Sequence, residues 1–69
     1  MLGKELRQAR MAAGMTQEEL AFRARVSRNY VSLLESDERS PTLGVLDRIC
    51  NALGIRTSIL IARWERHRR

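Results

Sequence analysis

Apolar residues recur along this chain at helical spacing, in five short stretches separated by polar or glycine-bearing breaks. In the first, Leu2, Leu6, Ala9 and Ala13 share one face of a helix predicted over residues 2–13. Gly14 follows as a residue able to turn left-handed and stop it. Thr16 is a good N-cap, and Glu19, three residues on, completes the signature of a capping box. Leu20, Ala21 and Ala24 then mark the inner face of a second helix, with Phe22 off that stripe, either partly exposed or covering a core edge. Arg25 and Val26 interrupt the pattern, and Ser27 caps a third helix with Val31 and Leu34 turned inward. The polar run 36–41 holds Pro41, which forbids continued helix. Thr42 caps a fourth helix with Leu46, Ile49, Cys50 and Leu53 inside; Gly44 weakens its first turn and Gly54 ends it. A fifth helix is expected over residues 57–66, with Leu60 and Trp64 on one face. The expected fold is all-α: a compact five-helix single domain over residues 1–69, with 66–69 a frayed basic tail.

Two capped helices separated by about three residues form a helix-turn-helix pattern, whose second helix can lie in a DNA major groove. The polar residues at the start of that second helix carry suitable chemistry. Arg28 can donate two hydrogen bonds to guanine O6 and N7, Asn29 can pair with adenine N6 and N7, and Ser27 and Ser32 can support either base or take a phosphate. A merely solvated helix face more usually carries Glu and Lys.

The run Gly14-Met15-Thr16-Gln17-Glu18-Glu19-Leu20-Ala21, then Val26-Ser27-Arg28-Asn29-Tyr30-Val31-Ser32 and Leu34-Glu35, resembles the phage repressor and Cro (XRE-like) helix-turn-helix family. Ser40-Pro41-Thr42-Leu43 and Ala52-Leu53-Gly54-Ile55 match the same family's habits, so the resemblance covers roughly residues 2–61. It implies a five-helix, lambda-repressor-like domain that binds double-stranded DNA, usually as a dimer on two-fold-related half-sites. Carried over by position, Ser27, Arg28, Asn29, Ser32 and Leu33 would face the bases. Gln17 would touch a phosphate; Tyr30, Arg39 and Ser40 are further phosphate candidates, with Asp37 and Glu38 pointing away. Tyr30 has an equal alternative, packing its ring across the helix surface. The family's structural ion pair corresponds to Arg10 and Glu35. Two positions depart from the family pattern. Arg25 stands where Gly is usual, so the turn is either strained or differently shaped, and Leu33 stands where Arg, Lys or Gln is common. Leu33 either packs on a thymine methyl or turns inward.

Composition narrows the remaining classes. A chain of 69 residues has room for one small core, and 43% apolar content is enough to fill it. Cys50 is the one cysteine, read as a buried, inert thiol, so there is no internal disulfide and no zinc ligand set. Nothing calls for a cofactor, a metal or a small-molecule ligand, and no nucleophile–base pair or phosphate-binding glycine loop suggests an enzyme. No apolar run approaches the roughly 18 residues of a membrane span and no signal peptide is recognised, which makes the cytoplasm the expected location. The net charge of +5 is gathered mostly at the two ends, and Lys4 is the one lysine among thirteen basic residues. Arginine suits forked phosphate contacts.

Ile59, Leu60 and Ile61 spread over about 200° of helix arc, so one packed face cannot bury all three. Leu60 is assigned to the core, with Ile59, or Ile61 together with Trp64, expected at a homodimer interface. The leading expectation is a dimeric, sequence-specific DNA-binding regulator of transcription. The alternative is a helical protein-interaction module with little DNA readout, which Leu33 and the apolar fifth helix favour.

Overall fold

The computed structural model describes residues 2–67. Five helices and no strand occur among them: α1 (Leu2–Ala12), α2 (Gln17–Ala24), α3 (Arg28–Glu35), α4 (Leu43–Leu53) and α5 (Thr57–His67). The capping residues act as expected from their chemistry. Thr16 Oγ1 accepts from the Glu19 N–H at 3.0 Å while the Thr16 N–H donates to Glu19 Oε1 at 2.9 Å. Ser27 Oγ accepts from the Tyr30 N–H at 3.0 Å, and Thr42 Oγ1 from the Val45 N–H at 3.2 Å.

Once the helices form, their apolar stripes close on one another. α2 packs against α3 and α4, α1 against α3 and α5, and α4 against α5. Leu6, Leu20, Val31, Ile49, Cys50 and Leu60 are fully buried where these stripes meet. Burial also pushes the Cys50 thiol up from its ordinary pKa.

Several local expectations are corrected. α1 ends at Ala12, and Ala13 is an exposed turn residue, because the chain is already bending into the left-handed Gly14 (φ 71°). Phe22 does not cover a core edge; it is 86% exposed. The frayed tail expected over residues 66–69 is corrected at its first two positions: Arg66 and His67 form the last turn of α5, and Arg68 and Arg69 lie outside the described residues. His67 has a tertiary contact, its Nδ1 standing 3.0 Å from Oε2 of Glu5, a carboxylate buried in α1. Among the described residues no helix is long and apolar enough to cross a membrane.

The turn between α2 and α3 keeps its left-handed geometry with an arginine in it. Arg25 has φ 60° and ψ 44°, and its N–H bonds back to Ala21 and Phe22 carbonyls. The turn is therefore the strained one of the two possibilities, since a side chain at such a φ costs roughly 1 kcal/mol or more relative to glycine. A second left-handed residue, Asp37 (φ 61°), follows α3 and accepts from the Gly3 N–H through Oδ1 at 2.9 Å. Gly3 itself lies against the end of α3, where an added Cβ would stand 2.5 Å from the carbonyl oxygens of Leu34 and Glu35. The start of α1 is thus docked on the end of α3 by backbone, a contact with no local sequence signature.

Candidate nucleic-acid interface

The pose of α3 is set from its buried side. Val31 and Leu34 are 1% and 2% exposed, which leaves the other face of this short helix outward. Its C-terminal end is held by a network around Glu35. Arg10 Nε donates to Glu35 Oε2 at 2.6 Å and Arg10 Nη2 to Oε1 at 3.1 Å, a forked pair with side chains only 12% and 5% exposed. Arg10 Nη1 also donates to the Met15 carbonyl at 2.8 Å. The hydrogen bond to Glu35, opposed by burial and assisted by the nearby charges of Glu35 and Glu18, holds the Arg10 guanidinium above its ordinary pKa. One cation therefore ties α1, the α1–α2 turn and α3 together.

Gln17, the first residue of α2, joins this network: its Nε2 donates to Glu35 Oε1 at 3.1 Å. That bond fixes the amide plane and uses one Nε2 hydrogen, leaving the second to donate at the N-terminus of α2. Arg7, Arg10, Gln17, Ser32, Glu35 and Ser36 line a depression of about 300 Å³ between α1, α2 and α3. Arg7 is an exposed cation at this edge that the sequence reading did not single out.

At the other end of α3, Ser27, Arg28 and Asn29 are exposed, and Ser32 and Leu33 are half-buried. Ser27 spends one of its two oxygen lone pairs on the Tyr30 N–H cap, keeping the other and its hydroxyl hydrogen for a partner. Arg28 Nε lies 3.6 Å from Glu18 Oε2, with the two side chains 64% and 68% exposed. Such exposed pairs contribute about 0–1 kcal/mol, so the contact aims the guanidinium without locking it. Glu18 was not anticipated either, because the capping-box reading assigns a role only to its neighbour Glu19. Leu33 is not among the residues packed on the core, so its partly exposed side adds apolar surface to α3.

The remaining candidates are Tyr30 on α3 and Arg39 and Ser40 on the α3–α4 connection. Tyr30 packs its ring against the core and carries Arg39 on its face, the Arg39 Cζ standing 5.6 Å from the ring centroid. Ser40 is exposed beside them. The two acids of this loop are engaged by the protein's own donors: Asp37 by the Gly3 N–H, and Glu38 by the Ser36 hydroxyl at 2.7 Å. The structure thus brings Arg28, Asn29, Ser32 and Leu33 onto one helix with Ser27 as its cap, and Gln17 to its flank. Tyr30 and Arg39 form a separate stacked pair. On α5, Ile59 is 45% exposed, Ile61 is half-buried against the core, and Trp64 is half-buried.

Comparison with known proteins agrees with this architecture. A helix-turn-helix family profile matches residues 6–60. The immunity repressor protein of Bacillus phage phi105 is 33% identical over 60 residues, covering 87% of this chain and 42% of the relative. The transcriptional regulator ImmR of Bacillus subtilis (strain 168) is 36% identical over 64 residues, covering 93% of this chain and 50% of the relative. The chain therefore spans about half the length of these curated relatives. The crystal structure of the restriction-modification controller protein C.AhdI from Aeromonas hydrophila superposes with a TM-score of 0.83 at 36% identity, covering 86% of this chain and 89% of that one. The capped α2–turn–α3 unit, the outward polar face of α3 and these likenesses converge, and the chain belongs to the phage-repressor-like helix-turn-helix family.

Proposed function

We propose that this chain binds double-stranded DNA sequence-specifically and regulates transcription, acting as a single domain in the cytoplasm and as a dimer on a (pseudo)palindromic operator. The observation that carries the reading is the outward N-terminal face of α3. Exposed Arg28 and Asn29 stand on a helix held by the buried Arg10–Glu35 pair, so the base-reading groups are presented by a rigid element.

In this reading Arg28 donates to guanine O6 and N7, Asn29 pairs with adenine, Ser27 and Ser32 supply hydroxyls, and Leu33 packs on a thymine methyl. Gln17, oriented by Glu35, contacts a backbone phosphate; Tyr30, Arg39 and Ser40 contact the backbone on the far side of α3. Phosphate contacts set the register and base contacts the sequence. Ile59, with Ile61 and Trp64 beside it, forms the dimer contact that sets two recognition helices about one DNA turn apart, roughly 34 Å. The repressor and regulator names of the relatives support occupancy of a promoter as the regulatory act.

A protein-interaction module is the second reading, favoured by one observation: Phe22 is 86% exposed on α2. Selection from a random-sequence duplex library at moderate salt separates the two. Recovery of a palindrome or near-palindrome supports DNA readout, and absence of enrichment at every salt concentration supports the interaction module.

A further inference from the structure

Three arginines gather on the side of α2 away from the Arg10–Glu35 network. Arg23, Arg25, Arg48 and Asn51, with Ala24 and Ala52 at the base, line a concavity of about 340 Å³. Arg48 Nε donates to the Ala24 carbonyl at 3.2 Å, across 24 residues of chain, which pins one guanidinium on the wall of this concavity. Among the described residues no carboxylate comes within ion-pair distance of Arg23, Arg25 or Arg48. The acids nearest along the chain are engaged elsewhere: Glu19 in the capping box and Asp47 by the Thr57 hydroxyl at 2.8 Å. Like charges are therefore collected around one hollow with no ion pair among them, Glu19 acting on Arg23 only as a longer-range charge.

Arg25 adds a second, independent observation. It holds a left-handed backbone (φ 60°) that glycine would adopt without strain. Strain of this kind persists where the surrounding structure maintains it, and an observed outlier of this type points toward a role for the side chain.

We infer that the Arg23–Arg25–Arg48 concavity is an anion site that takes a backbone phosphate of the DNA just outside the segment read by α3. Guanidinium forks match pairs of phosphate oxygens, and Asn51 adds an amide donor. Position selects the source of the phosphate. Arg25 lies two residues before Ser27, so its Cα stands within about 7 Å of the start of α3. A helix end entering a major groove roughly 12 Å wide has phosphates on both rims, within reach of an arginine at its shoulder. The inference rests on the DNA reading above and adds to it an outer contact that lengthens the footprint without reading sequence.

The test uses the operator recovered by selection, as one duplex ending at the outermost selected base pair and another extended by about half a helical turn, roughly 5 base pairs, on each side. Wild type is expected to bind the extended duplex about tenfold more tightly. Its log–log salt dependence should be steeper by about 0.9 for each added phosphate contact. Arg25→Gly, which suits the backbone, and Arg23→Gln should lose that excess while binding the short duplex as wild type does. Equal affinity and equal salt slope of wild type on both duplexes overturn the site, as does Arg25→Gly keeping the excess. Saturable binding of inorganic phosphate, followed by NMR at the Arg25 and Arg48 resonances, without any dependence on flank length overturns DNA as the source. Failure of wild type to enrich or bind any duplex is a different result, and overturns the DNA reading itself.

Discussion

At the scale of single residues, Arg28 and Arg10 show two uses of one side chain. Arg28 is exposed and only loosely aimed by Glu18, which leaves its guanidinium open to the base contact proposed for it. Arg28→Ala is expected to weaken binding to the preferred duplex by about 1–3 kcal/mol per half-site and to relax one base position. Binding measured across single-base operator variants checks this; uniform weakening on every sequence would reassign Arg28 to phosphate. Arg10 is committed inward, and both members of its pair are nearly buried. Removing either partner leaves a buried charge unpaired and should destabilise the fold by about 3–5 kcal/mol. A double-mutant cycle on denaturant unfolding is expected to give a large coupling energy; a value near zero would make Arg10 and Glu35 independent charges.

Elements in this chain are defined at their ends. The α2 N-terminus is closed by the Thr16–Glu19 box, and the backbone and hydroxyl hydrogen bonds of Thr16 hold the Glu19 carboxyl below its ordinary pKa. Because the folded value is the lower one, this stabilisation is present above the ordinary carboxylate pKa. It is lost as pH falls through the folded value. Glu19→Gln, which keeps an acceptor for the Thr16 N–H, should flatten the acid limb of a stability–pH profile, and an unchanged limb would sink the idea. The α2 C-terminus has the opposite character, an arginine in a glycine's conformation. Arg25→Gly is expected to raise unfolding free energy by roughly 1 kcal/mol. A melting temperature that falls instead would mean the Arg25 side chain stabilises the turn.

For the whole molecule the surface proposed for the dimer contact is on α5. Ile59 is the clean probe of a dimer, since it is 45% exposed, whereas Ile61 also packs on the core. Ile59→Glu is expected to leave helicity by circular dichroism unchanged while shifting the micromolar species from dimer to monomer in analytical ultracentrifugation. An unshifted dimer would place the contact elsewhere. Ile61→Glu should lower stability as well, because it introduces a charge at the edge of the core.

What the amino-acid sequence determined by itself is what depends on near neighbours along the chain. The five helices, the three Ser or Thr caps, the left-handed glycines and the inward residues Leu6, Leu20, Val31, Leu34, Ile49 and Leu60 all follow from spacings of three or four residues. Helix geometry converts such spacings directly into faces and ends. The Arg10–Glu35 pair was reached through the family resemblance, because nothing local joins residues 25 apart. The tertiary structure alone decided the rest. Gly3 lies against the Leu34 and Glu35 carbonyls, and His67 meets Glu5 across 62 residues. Glu18 turns toward Arg28, and Arg48 joins Arg23 and Arg25 around one hollow. In each case the partners share no helical period. Their distance is set by how α1, α2, α3, α4 and α5 pack around one core, which fixes directions that no single helix contains.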